Sequence, residues 1–102
     1  MSQRFNSVVL KQSVVTLTAT VDNTIVAANP LRKYLAIVNI GTGLVTLAFD
    51  QAAVAGSGWP LAAAGGAGQQ GGAIVFEASA LPMNAIHAIS TAGSSVVVIE
   101  GV

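Results

Sequence analysis

Tyr34-Leu35-Ala36-Ile37-Val38-Asn39-Ile40-Gly41-Thr42-Gly43-Leu44-Val45-Thr46-Leu47-Ala48-Phe49-Asp50 decides the fold class. Two runs rich in β-branched and aromatic residues flank a short polar break, which is the pattern of strands rather than helices. In the second run Val45, Leu47 and Phe49 share one face while Thr46, Ala48 and Asp50 share the other, so one side is assigned to a core. Gly41-Thr42-Gly43 is the right length for a three-residue hairpin connection, whose glycines tolerate positive φ. The stretch therefore predicts a β-hairpin of 34–40 with 44–49.

The same reading extends in both directions. Ser7 to Thr20 is rich in β-branched residues, and Val15-Thr16-Leu17-Thr18-Ala19-Thr20-Val21 alternates apolar and polar residues. Asp22-Asn23 is a turn pair, Thr24 to Ala28 a short returning strand, and Asn29-Pro30 a breaker. Arg32-Lys33 beside it reads as a solvated turn. Further on, Ala73 to Glu77 reads as a strand and Leu81-Pro82 as a turn. Ala85 to Ser90 and Ser94 to Glu100 are two last strands joined by Thr91-Ala92-Gly93.

Between Gln51 and Gly72 the composition shifts to Ala, Gly and Gln, with Val54, Trp59 and Leu61 the only large side chains. This predicts a long Gly-rich loop with a short strand near Trp59, and long loops usually carry function or disorder. Seven to eight short strands in 102 residues, with no internal repeat and no linker, predict an all-β single domain over 1–102. A β-sandwich or jelly-roll-like small barrel is the expected architecture, with residues 1–6 as an N-terminal arm.

The charge inventory is sparse. Only 8% of residues are charged, four cations against four anions, while 53% are hydrophobic. An average domain carries roughly 25% charged residues, so the composition predicts a surface covered by partners. Arg4, Lys11, Arg32 and Lys33 form no basic stripe to follow a phosphate backbone, which argues against nucleic acid. Glycines, Pro60 and Gln69-Gln70 interrupt the longest uncharged segment, 51–76, and Lys11 interrupts the first apolar run, so neither a membrane span nor a signal peptide is expected.

Catalytic and metal chemistry find little material. His87 is the sole histidine, cysteine is absent and the four carboxylates lie on separate elements, so no catalytic, metal or cofactor site is expected and His87 reads as an ordinary strand histidine. Gly66-Ala67-Gly68-Gln69-Gln70-Gly71 matches G-x-G-x-x-G, but an Ala-rich loop precedes it and a strand follows, the reverse of a dinucleotide site. Two places suit a partner interface. Trp59 with Pro60 and Leu61 reads either as an aromatic anchor for a neighbour or as a cap on the chain's own sandwich. Arg4 and Phe5 read either as an arm reaching onto a neighbour or as an untethered terminus.

Asn29-Pro30-Leu31-Arg32-Lys33-Tyr34-Leu35, Ile37-Val38-Asn39 with Gly41-Thr42-Gly43, Trp59-Pro60-Leu61, Asn84-Ala85-Ile86 and the closing Val97-Val98-Ile99-Glu100-Gly101 together carry a resemblance. Over roughly residues 27–102 the chain resembles small tailed-bacteriophage virion proteins of the capsid decoration or cement type. The resemblance implies a non-enzymatic virion protein, made in the host cytoplasm, that stabilises a capsid surface by binding the major capsid protein as a homo-oligomer. A trimer is favoured over a dimer. Similar modules in tails and fibres imply the alternative, a piece that recognises a host-surface receptor or glycan.

Overall fold

A computed structural model describes residues 9–65, 69–77 and 80–102. Among the described residues there are eight strands: β1 Leu10–Leu17, β2 Asn23–Val26, β3 Tyr34–Asn39, β4 Val45–Phe49, β5 Trp59–Leu61, β6 Ala73–Glu77, β7 Ile86–Ile89 and β8 Ser94–Gly101. They form two four-stranded antiparallel sheets, in the order β1-β8-β3-β6 and β2-β7-β4-β5. The pairs β1/β8, β2/β7, β3/β6 and β4/β5 nest inside one another, as if one long hairpin had been rolled up. That strand order is the eight-stranded jelly roll, one of the two architectures expected.

The two-residue repeat of the extended chain puts one row of each strand inside. Leu17, Leu35, Ile37, Val96 and Val98 from the first sheet meet Ile25, Val45, Leu47, Leu61, Ile86 and Ala88 from the second in a single core cluster. Phe49 of β4 and Phe76 of β6 bridge the two sheets edge to face, with ring centroids 5.7 Å apart. Register follows the same rows, since Leu35 lies opposite both Phe76 and Glu100, and Ile37 opposite both Ile74 and Val98.

The predicted hairpin of 34–49 is corrected. Both strands exist, but β3 lies in one sheet and β4 in the other, so Ile40–Leu44 arches between layers. The cause is Asn39, whose place on the buried row with Leu35 and Ile37 puts an amide inside the bend. Its Nδ2 donates to the carbonyls of Gly43 (2.8 Å), Leu61 (3.1 Å) and Ala62 (3.1 Å), and its Oδ1 accepts from Gly41 N (3.0 Å) and Ser94 Oγ (2.7 Å). Gly41 and Gly43 are needed for closeness rather than for φ, since neither has positive φ. A Cβ on Gly41 would overlap Ser94 Oγ and the backbone of Ser95, and one on Gly43 would overlap the carbonyl of Gly93.

The predicted loop of 51–72 is also divided. β5 falls where the short strand was expected, and among the described residues β4 with β5 is the only consecutive pair of strands that forms a hairpin within one sheet. On either side of the undescribed 66–68, the segments 62–65 and 69–72 are tied to the arch and to each other by Ala64 N to Gly41 O, Gly72 N to Ala62 O and Gly71 N to Asn39 O, each 2.8 Å.

Candidate interaction surface

The outer face of the sheet β1-β8-β3-β6 is apolar where a solvated jelly roll would carry charge. Register aligns its rows across the four strands: Val14, Val97, Val38 and Ala73; Gln12, Ile99, Ala36 and Val75; Leu10, Gly101, Tyr34 and Glu77. Leu10 is 60% exposed, Val14 63% and Val75 52%, while Val97, Ile99, Ala36, Val38 and Tyr34 are half-buried between neighbours. Glu77, at the β6 margin, is the single charge on these rows. At strand spacings near 4.8 Å and 3.3 Å per residue, the face covers on the order of 400 Å². At one end of it, Val38, Ile40, Gln69 and Gln70 line a groove of about 340 Å³.

The β4 part of the other sheet's outer face is covered by the chain itself. Thr46 and Ala48 point away from the core, yet both are buried, because the β4–β5 connection folds back over them with Ala53 buried and a bridge between Val54 and Ser57. Gly56 N donates to Thr46 Oγ1, and Ala53 N donates to Asp22 Oδ1 at 2.7 Å. The same carboxylate accepts from His87 Nδ1 at 3.1 Å through Oδ2. Asp22 therefore pins the covering loop to β7. Its carboxyl is held below the ordinary value chiefly by the Ala53 N–H; burial opposes this, and the hydrogen bond and charge of His87 add to it. Among the described residues, no three His, Cys, Asp or Glu side chains come together in a way that would hold a metal ion.

Trp59, Pro60 and Leu61 do not act as one surface element. Leu61 is 1% exposed and belongs to the core, which removes it as a partner contact: opposite Val45 on the inner row, its side chain is already spent on folding. Trp59 lies opposite Leu47 on that same row, but β5 is an edge strand and the indole is 51% exposed at its open margin. Pro60 points outward beside it. Arg4 and Phe5 lie outside the described residues, as does Gly66-Ala67-Gly68 of the glycine motif.

The solvated-turn expectation for Arg32-Lys33 is corrected at Arg32. Lys33 is exposed, but the Arg32 guanidinium is buried: Nε donates to Glu100 Oε2 (2.7 Å), Nη1 to the carbonyls of Pro82 (2.6 Å) and Asn84 (3.0 Å), and Nη2 to that of Ala27 (2.7 Å). Leu31, next to it, is 72% exposed, an inversion of hydropathy forced by the turn. Asn29 shapes that turn by accepting Leu31 N on its side chain and Arg32 N on its carbonyl. Asn39 and Arg32 are buried polar centres that the sequence reading does not anticipate, because both rows of β3 are apolar and only the structure shows that Leu35, Ile37 and Asn39 form the inner one.

No family model, curated protein or solved structure matches the chain.

Proposed function

We propose that this chain is a structural virion protein that decorates and stabilises a phage capsid, binding the lattice of the major capsid protein as a homo-oligomer. One observation carries the reading: the outer face of β1-β8-β3-β6 is apolar and nearly free of charge, while the centre of the opposite face, at Thr46 and Ala48, is covered by the chain's own loop. The largest apolar patch on a typical monomer is about 300–600 Å² and is often functional; this face falls in that range and carries one charge on its rows. The buried polar groups support a non-catalytic role, because Arg32 and Asn39 spend their donors on backbone carbonyls and Glu100 rather than on an open cleft. The jelly roll itself hosts many roles and adds nothing to the choice.

The test is co-sedimentation of the purified protein with capsid shells lacking it, with copies per particle counted. Hundreds of copies, retained with less than a tenfold change in affinity between low and moderate salt, are expected, since so few charges are available for screening. Val97→Lys, at the centre of the face, should abolish attachment while leaving the β circular dichroism spectrum unchanged. Binding restricted to a few copies would overturn the decoration role in favour of a tail or fibre receptor module, for which half-exposed Trp59 is the local support.

A further inference from the structure

Four strand edges border the two sheets, and three of them are guarded. β5 is three residues long and carries Pro60, which has no N–H to offer; β2 is four residues long with a register irregularity between Thr24 and Val26; β6 is five residues long and ends at Glu77. Short length, proline, bulges and charge are the ordinary means of blunting an edge. β1 has none of these beyond a single Lys11. It runs eight residues without a register shift, and among the described residues no strand lies on its outer side.

Which backbone groups that edge exposes follows from the ladder. Val9 N donates to Val102 O (2.9 Å) and Val102 N to Val9 O (3.1 Å), a mutually hydrogen-bonded pair. Antiparallel pairs alternate between bonded and non-bonded types, so Lys11, Ser13, Val15 and Leu17 spend their backbone groups on β8. The parity is consistent on the far side of β8, where Gly101 O accepts from Lys33 N and Ser95 O from Ile40 N. Leu10, Gln12, Val14 and Thr16 are left with both N–H and C=O pointing off the edge. Their side chains are the β1 members of the apolar outer face.

We propose that a second copy of this chain docks on that edge, β1 against β1, antiparallel about a two-fold axis at Ser13. This deepens the reading above, and rests on it, by identifying the contact that makes the homo-oligomer. The register is set by satisfaction: Leu10 opposite Thr16 of the second copy and Gln12 opposite Val14 of the second copy pair every exposed group using β1 alone. Centring the axis on Gln12 or Val14 instead leaves Thr16 or Leu10 without a β1 partner. With the axis at Ser13, Lys11 faces Val15 of the second copy, which separates the two ammonium-bearing residues by about 13 Å along the strands, beyond the screening length of about 8 Å at physiological salt. The two outer faces then join into one eight-stranded surface of on the order of 800 Å², the size one partner contributes to a standard stable interface. An edge of this kind favours a dimeric unit over the trimer expected from the resemblance.

The experiment uses the full chain alone in solution, so its outcome is independent of capsid attachment. The sequence has no cysteine, and the axis sets the two Ser13 residues opposite one another as a non-bonded pair with Cα atoms about 4.5 Å apart, inside the range a disulfide spans. Ser13→Cys should form a disulfide-linked dimer under mild oxidation at least tenfold faster than Lys11→Cys, which faces Val15. Gln12→Pro deletes an N–H that points off the edge, not one that β8 uses; it should raise the dimer dissociation constant at least tenfold with the β spectrum retained. Equal cross-linking of the two cysteine variants overturns the proposal. So does a sedimentation mass of one or three copies, or one that grows steadily with concentration, at tens of micromolar protein.

Discussion

Arg32 and Glu100 form a buried ion pair, Nε to Oε2 at 2.7 Å, with the guanidinium side chain fully buried and the carboxylate 20% exposed. The pair joins the turn before β3 to the end of β8, and the remaining guanidinium protons bring in residues 27, 82 and 84. Removing one partner of such a pair leaves an uncompensated charge and three carbonyls without donors, a loss of about 3–5 kcal/mol. Arg32→Met should therefore lower the melting temperature by more than about 12 °C in a chain of this size. Arg32→Lys should recover little of the loss, because an ammonium lacks the planar fork that reaches four acceptors. Thermal denaturation of the three proteins at neutral pH checks both statements.

At the other end of β3, Asn39 and Gly41 are coupled through the arch. Asn39→Asp puts a carboxylate where the amide faces three carbonyl oxygens, and should cost about 3 kcal/mol or more as a buried polar group turned against its partners. Gly41→Ala, which meets the Ser94–Ser95 backbone, should cost about 1–3 kcal/mol through overpacking. Gly56→Ala is the reference: its φ of 77° penalises a side chain, but nothing lies within 4 Å, so a loss of about 1 kcal/mol is expected. Denaturant midpoints should rank the variants in that order, with Gly56→Ala the mildest.

The strands of this chain were legible because short runs of β-branched, apolar and aromatic residues recur between Gly, Asn, Asp, Ser and Pro, and β3, β4, β6, β7 and β8 fall within two residues of their expected positions. Sheet membership was not, because the period-two pattern of Tyr34–Phe49 is identical for a hairpin and for two strands that face each other across a core. What separates the two is Asn39, whose acceptors at Gly43, Leu61 and Ala62 span up to 23 positions. Arg32 was hidden for the same reason, since its partners lie up to 68 positions away and hydropathy alone assigns arginine to water. The apolar outer face had a readable sign: Val96-Val97-Val98-Ile99 does not alternate, which is the mark of a strand covered on both sides. Trp59 and Leu61, two residues apart in the sequence and on the same row of β5, differ because one lies at the sheet margin and the other opposite Val45 in the core.

Asp22 links acid stability to the loop that covers the second sheet. Its folded pKa lies below the unfolded value of 3.8, mainly through the Ala53 N–H. Between those two values the unfolded chain binds more protons than the folded one, so stability falls as pH falls. The contribution is fully present above 3.8 and is lost as pH drops through the depressed folded value. Asp22→Asn should flatten the limb of the stability-versus-pH curve that falls as pH drops through and below 3.8. An acid limb identical to the parent's would show that this carboxylate does not anchor the loop.

Trp59 divides its surface between folding and a neighbour. A tryptophan offers roughly 150–250 Å² for burial, and with 51% exposed about half is still open. At about 25 cal/mol per Å² that open half supplies at most about 2–3 kcal/mol to a partner, equivalent to roughly 30- to 150-fold in affinity. Leu61, two residues away and fully buried, supplies the control: Leu61→Ala should cost about 2–5 kcal/mol of stability and leave the attachment of each folded molecule to shells unchanged. Trp59→Ala should melt closer to the parent than Leu61→Ala does, yet weaken attachment by at least tenfold. Measuring both variants by thermal melt and shell pull-down separates the two roles. A Trp59→Ala protein that attaches like the parent would remove the indole from the interface and leave the outer face of β1-β8-β3-β6 to carry it alone.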